Sequence, residues 1–350
     1  MADRRRINGP PGGTSAPIFA STLGTRESIL GQRPTRERAP EQHRKICKLF
    51  FPQTNGENDV SNEVLLVLKT DLNPSASGSS YFEFENTTRQ PSSLLPSTSN
   101  LKLICNVHGP KPLPRSAPFS PQLVLSTFVK FAPFAARKRK GWIRDQSERD
   151  LGAHLETALR GVIIGDRWPK SGVDVIITVL EGEEDRWWGD EFAGTETPDT
   201  TGGSWGFMTT LGACITAASA ALIEAGIDCV DVVTGGVASI VRNPDTKGKS
   251  KRISSAEQPT VTTTIVLDPS PSEHQDIMAT CVVGYLPQRD EITELWMCGN
   301  IDSQSDKLID AAIEAARLTS SVLVETVKDM AKEKASGEAL TSMADITMAG

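Results

Sequence analysis

Thr209–Ala225 reads TTLGACITAASAALIEA. It is a helix of small residues, and its Gly and Ala let a sheet approach closely. Gly226 follows, where the chain can leave the helix in a conformation other residues resist. Upstream, Val173–Leu180 (VDVIITVL) is a nearly continuous β-branched run, the pattern of a strand buried on both faces. Before it, Leu151, Leu155, Leu159 and Val162 recur at three- and four-residue spacing, so a helix with one apolar face is expected there, loosened at Gly161.

Further outward, Val64–Lys69 (VLLVLK), the alternating Tyr81–Glu85, Leu101–Val107 and Leu123–Phe131 are strands, which as a group read as an antiparallel meander. Downstream, Asp231–Val241, Val261–Leu267, Ile277–Gly284 and Glu291–Met297 are four more strand candidates. A long helix is expected over Ser305–Lys334, with Leu308, Ile309, Ala312, Ile313, Ala316 and Val327 as its buried stripe. The order is strands, helix, strand, helix, strands, helix, which is α+β or mixed α/β. No short-period repeat appears, so a solenoid is excluded.

The 350 residues carry 37 Lys and Arg against 44 Asp and Glu, for a formal net charge of −7. Residues 1–45 run the other way, with nine basic against four acidic residues. Three regions are expected: a basic, partly disordered arm over 1–45, a folded domain over 46–334, and a disordered tail over 335–350. Insertions fall at about 86–100, 186–206 and 242–260, where Pro, Ser, Gly, Thr and Lys dominate.

The acidic balance argues against coating nucleic acid with the whole surface. No run of about 18 apolar residues stands out as a membrane span. The opening MADRRRINGPPGG lacks the apolar core of a secretory signal. The six cysteines, at 47, 105, 214, 229, 281 and 298, have no zinc-like spacing and are expected to be buried reduced thiols. The four histidines are isolated, which does not suit a metal site. No cofactor is implied.

No catalytic constellation stands out. Gly202-Gly203-Ser204-Trp205-Gly206 resembles a nucleophile elbow in letters only, because strand–turn–helix context is missing. Thr234-Gly235-Gly236 lacks the Gly-Lys-Ser of a phosphate loop and reads as a strand kink. Three features can meet partners. Arg137-Lys138-Arg139-Lys140, with Arg144 close behind, is the densest basic cluster, able to hold RNA phosphates or face an acidic neighbour. Lys247, Lys249, Lys251 and Arg252 form a second basic loop. Trp187, Trp188, Phe192 and Trp205 crowd one insertion and suit a protein interface, packing on this chain, or base stacking.

Several segments, in order, resemble the ribonuclease PH superfamily. They are Gly78-Ser79-Ser80-Tyr81-Phe82-Glu83, Cys105-Asn106-Val107-His108-Gly109-Pro110, Phe131-Ala132-Pro133-Phe134-Ala135, Trp168-Pro169-Lys170-Ser171, Val179-Leu180-Glu181 and Ile215–Ile227. Each is weak alone; together they span Val64 to Lys334. The resemblance implies mixed sheets packed with helices in a ribosomal-protein-like β-α-β-α architecture. Asp3-Arg4-Arg5-Arg6, Gly9-Pro10 and Leu267-Asp268-Pro269-Ser270 are similar to a ring subunit of the eukaryotic RNA exosome, and the loop insertions resemble a fungal version of it.

Active members of the family degrade RNA from its 3′ end with inorganic phosphate. The resemblance places their phosphate-binding arginine at the opening of the central helix, where free N–H groups suit an anion. Leu211 stands in that place. Their catalytic carboxylates would correspond to Asp268 and, at a shorter spacing, Asp276, which is otherwise a solvated loop carboxylate. The expectation is a non-catalytic ring subunit that forms subunit interfaces and part of an RNA channel. Its partners would be similar ring subunits, RNA-binding cap subunits and single-stranded RNA, in nucleus, nucleolus and cytoplasm, with no membrane. The alternatives are an active phosphate-dependent 3′–5′ exoribonuclease, resting on Asp276, and a free RNA-binding module using Arg137–Lys140.

Overall fold

Alternation and helical periodicity resolve into nine strands and three long helices among the described residues of a computed structural model. Those residues are 66–84, 101–136, 139–182, 205–242, 263–270, 274, 277–299, 301 and 304–348. In chain order the elements are β1 (Leu66–Thr70), β2 (Gly78–Phe84), β3 (Leu101–Pro112), β4 (Val124–Phe131), α1 (Gln146–Arg160), β5 (Ser171–Glu181) and α2 (Trp205–Glu224). They continue with β6 (Thr234–Arg242), β7 (Thr263–Leu267), β8 (Ile277–Leu286), β9 (Glu291–Gly299) and α3 (Ser305–Met348). The arm over 1–45 and nearly all of the three insertions lie outside the described residues.

The first sheet has five strands in the order β1-β2-β3-β5-β4. The expected meander holds only from β1 to β3. β5 then enters between β3 and β4, antiparallel to β3 and parallel to β4. A parallel pair needs a long crossover, and α1 supplies it. β5 is not buried on both faces either. Val173, Val175, Ile177 and Val179 are fully buried, while Asp174, Ile176 and Thr178 between them are half-buried. Helices cover one face of this sheet, so burial follows the period of the pleat.

The second sheet has four strands, β7-β6-β8-β9, all antiparallel. α2 lies between the sheets, against β2 and β3 on one side and β6 and β8 on the other. Beside it α1 bridges β4 and β9, and α3 packs on the outer face of the second sheet. The layers are therefore β-α-β-α. Leu151, Leu155, Leu159 and Val162 are all buried, as the stripe required. In α3, Leu308, Ala312 and Ala316 are buried, while Ile309, Ile313 and Val327 are half-buried.

Thr234-Gly235-Gly236 is not a kink. It pairs regularly with β8, Gly235 opposite Gly284 and Gly236 opposite Val283. The glycines instead admit a helix on each face. A Cβ on Gly235 would lie 2.1 Å from the Gly212 carbonyl of α2, and one on Gly236 2.1 Å from the Ala312 carbonyl of α3. Successive residues of a strand point to opposite faces, so one dipeptide seats both helices.

α2 starts at Trp205, one turn before the expected Thr209, and Gly226 ends it with φ +71°. It is long and apolar enough to cross a membrane, but 89% of that window is buried within the protein. α3 continues to Met348 rather than stopping near Lys334, through residues that include the helix formers Ala, Glu and Met. Cys105, Cys214 and Cys281 are buried, Cys229 and Cys298 are half-buried, and all five are free thiols. Cys47 lies outside the described residues.

Candidate functional site

Between β4 and α1 the chain makes a loop over 132–145, and one carboxylate ties its two ends. Glu148, in the first turn of α1, is fully buried. Its Oε1 accepts the N–H of Phe131 at 3.0 Å, and its Oε2 accepts the N–H of Asp145 at 2.9 Å. The Lys130 ammonium stands 3.0 and 3.2 Å from the same two oxygens and neutralises them. Within the loop, Ala135 N–H donates to Ala132 O at 2.9 Å and Lys140 N–H to Pro133 O at 3.2 Å. Gly182 N–H donates to Ala135 O at 2.8 Å, fastening the loop to the end of β5. These bonds fasten the loop at its two ends and at Pro133 and Ala135.

Among the described residues, the cations of the basic cluster have different surroundings. Arg137 and Lys138 lie outside the described residues. Lys140 is 3.3 Å from the Asp145 carboxylate and sits over the rings of Phe131 and Phe207 at 5.5 and 5.7 Å. Arg144 is half-buried with its guanidinium 4.9 Å above Phe128. Both cations are engaged in cation–π contacts on the protein's own surface. Arg139 is exposed, and it is the cation of this cluster that projects clear of such contacts among the described residues.

The same loop carries side chains that sequence patterns did not single out as a site. Phe134 is 75% exposed, Trp142 90% and Ile143 70%. Phe134 was absorbed into a strand motif, although β4 stops at Phe131. Trp142 and Ile143 follow a basic run with no periodicity around them. Large apolar residues without a period, next to a charge run, were the available signal.

Of the aromatic group, Trp187, Trp188 and Phe192 lie outside the described residues, as does the Lys247–Arg252 loop. Trp205 is half-buried at the start of α2 and packs against the core of this chain. Its ring edge lies 3.0 Å from where a Cβ on Gly299 would stand.

Leu211 is fully buried in the core between the sheets. Because α2 begins at Trp205, Leu211 falls in the second turn and its N–H belongs to the intrahelical ladder. That position offers neither a cation nor a free donor to an anion. Asp268, just past β7, is 3% exposed with φ +46°, and its N–H donates to Val237 O at 3.0 Å. Asp276 lies outside the described residues. Among the described residues no group of three or more His, Cys, Asp and Glu could hold a metal ion.

Residues 65–228 match the model of the 3′ exoribonuclease family, domain 1, which covers β1 through α2. Over 334 residues the chain is 45% identical to exosome complex component MTR3 of Chaetomium thermophilum, spanning 94% of this chain and 99% of that protein. The chain belongs to the 3′ exoribonuclease, or ribonuclease PH, family. It is also 26% identical to exosome complex component mtr3 of Schizosaccharomyces pombe, over 92% of this chain and 95% of that one. The crystal structure of rice Rrp46 has the same fold, with a TM-score of 0.53 at 16% identity, covering 78% of this chain and 98% of Rrp46. The likeness to the fungal relatives extends beyond the family's first domain through the second sheet and α3, so the family's β-α-β-α layers account for the whole described fold.

Proposed function

We propose that the chain is a structural, non-catalytic ring subunit of the RNA exosome. It supports 3′–5′ RNA processing and degradation, including ribosomal RNA maturation and messenger RNA decay, by forming subunit interfaces and part of the RNA channel. The observation that carries this reading is end-to-end likeness to a component of that complex at 45% identity. Leu211 supports the non-catalytic part, because a fully buried leucine within a helix cannot hold the phosphate nucleophile. Its partners are other ribonuclease PH-like ring subunits, RNA-binding cap subunits and single-stranded RNA. RNA meets the chain through the basic residues Arg137, Lys138, Arg139, Lys140 and Arg144, of which Arg139 is exposed. The chain works in the nucleus, nucleolus and cytoplasm.

Native mass spectrometry of the tagged chain, purified gently from its own cells, tests this. Recovery in a complex of many different chains supports a ring subunit. Recovery as a homo-hexamer that releases nucleoside diphosphates from RNA in phosphate overturns it in favour of an active exoribonuclease.

A further inference from the structure

Between β3 and β4 the chain runs over Leu113–Leu123 (LPRSAPFSPQL) without joining either sheet. Its prolines decide its shape. Pro118 and Pro121 have a fixed φ and no N–H to give to a ladder. Ala117 and Ser120 each precede a proline, which drives their backbone to the extended region. Of residues 117–121 only Phe119 is left unconstrained, so the stretch is biased to a polyproline helix with three residues per turn. Burial follows that period. Ala117, Ser120 and Leu123 are half-buried, and every residue between them is exposed. Hydrogen bonds seat this row on the body: Lys170 N–H donates to Ser120 O at 3.2 Å, and Leu123 N–H to Gly165 O at 3.0 Å.

The other two rows differ from each other. Phe119 and Gln122 are engaged, with the Lys170 ammonium 5.3 Å over the Phe119 ring and Gln122 Nε2 donating to Asp166 Oδ1 at 3.0 Å. Pro118 and Pro121 form an exposed ridge with no such contact. Arg115 stands three residues upstream of Pro118, exposed, in a turn closed by Ala117 N–H donating to Pro114 O at 2.9 Å. The neighbouring cations are taken: Lys111 pairs with Asp174, Arg167 with Asp228, and Lys170 lies over Phe119. Arg115 pairs with no carboxylate among the described residues.

A proline ridge with one free guanidinium at its upstream end has a specific complement. An aromatic-lined groove takes prolines at three-residue spacing, and a carboxylate pocket at the end of the groove takes the cation. The ridge is already extended, so docking loses little conformational entropy. It offers a nucleic acid one cation, no N–H donor from either proline and no ring to stack on. We propose that Arg115, Pro118 and Pro121 form a polyproline ligand for an SH3-type domain, with an aromatic groove and an acidic pocket, carried by a protein outside the ring. This goes beyond the ring-subunit reading and does not rest on it.

The test titrates the full chain, and separately the gently purified complex, with a panel of purified SH3 domains in biolayer interferometry. At least one domain should bind both with equal affinity. Arg115→Glu and Pro118→Ala should each weaken that binding by about tenfold or more, the weight of a central contact, without lowering the melting temperature. Ser116→Ala, exposed but off the ridge, should leave it unchanged. If Pro118→Ala melts lower, Arg115→Glu decides alone. Failure of every domain in the panel to bind overturns the proposal, as does equal binding by parent and Arg115→Glu. Binding to the free chain but not to the complex shows that the ridge is covered in the assembly and also overturns it. Recovery of the chain from cells without partners removes the ring-subunit reading, while SH3 binding that depends on Arg115 would still stand.

Discussion

Gly235 of β6 and Gly212 of α2 meet backbone to backbone, so that a Cβ added to Gly235 would lie 2.1 Å from the Gly212 carbonyl oxygen. The neighbouring Gly236 stands as close to α3 on the other face. Neither clash can be relieved by a side-chain rotation, because both partners are helix backbone. Gly235→Ala should therefore cost more than about 4 kcal/mol, through forced separation of a helix from its sheet. Gly141→Ala is the control: no atom lies within 4 Å of where its Cβ would stand. That change should stay within about 0.5 kcal/mol of the parent. Urea unfolding of the two variants separates the cases, and a wild-type midpoint for Gly235→Ala would show that the layers are not this close.

Glu148 answers two backbone donors and one ammonium from a fully buried position. Glu148→Ala leaves the Phe131 and Asp145 N–H groups without their acceptor and should lower stability by about 2–4 kcal/mol. Glu148→Gln keeps one carbonyl acceptor but turns a donor toward the other N–H, so a loss of roughly half that size is expected. Hydrogen exchange localises the effect: the Phe131 and Asp145 amides should lose protection before those of β3 or β5.

Burial pushes the Cys229 thiol up to about 11, with the Asp228 charge adding to it, and burial pushes Cys281 up to about 12. Cys105 and Cys214 are raised as well, both by burial. A thiol that holds its proton more tightly when folded stabilises the fold fully below the unfolded thiol's pKa, near 8.5. That contribution fades as pH rises through the folded values. Stability should thus be flat from neutral pH to about 8.5 and decline above it. Iodoacetamide at neutral pH should leave Cys105, Cys214 and Cys281 unmodified until the chain unfolds. Rapid native labelling of Cys281 would contradict its burial.

The layers were legible where a period runs long enough to register. The α1 stripe Leu151, Leu155, Leu159 and Val162, and the strand alternation around Phe82 and Leu103, point inward as the patterns require. Strand order was not legible, because the parallel pairing of β4 with β5 is set by the α1 crossover and not by either strand's residues. The start of α2 was hidden for a different reason: Trp205-Gly206-Phe207-Met208 continues a Gly- and aromatic-rich insertion, and only packing reveals it as helix. In the site, the basic run was visible as charge. That Lys140 and Arg144 lie over rings, leaving Trp142 outermost, depends on the loop's path and has no local signature.

Leu211→Arg asks whether a single residue separates this chain from a phosphorolytic enzyme. The side chain at 211 points into a fully buried core, not toward solvent or a helix N-terminus. A guanidinium there would be desolvated without a carboxylate, and a loss above about 4 kcal/mol is expected. The variant should fold poorly and release no nucleoside diphosphate from RNA in phosphate. A stable variant with phosphate-dependent activity would show that position 211 still borders a working site.

Arg139 and Arg144 should part company in an RNA titration. A phosphate contact from a single-stranded chain contributes about 0.7 to the slope of log K against log salt. Arg139 is exposed, so Arg139→Gln should weaken binding of a single-stranded oligonucleotide and reduce that slope by about 0.7 with no change in melting temperature. Arg144 instead lies 4.9 Å above Phe128, half-buried. Arg144→Gln should lower stability by about 0.5–2 kcal/mol through the lost cation–π contact and move the slope less. Fluorescence anisotropy across a salt series, beside thermal melts of the same variants, reads both quantities. Identical slopes for the parent and Arg139→Gln would remove this arginine from the RNA path.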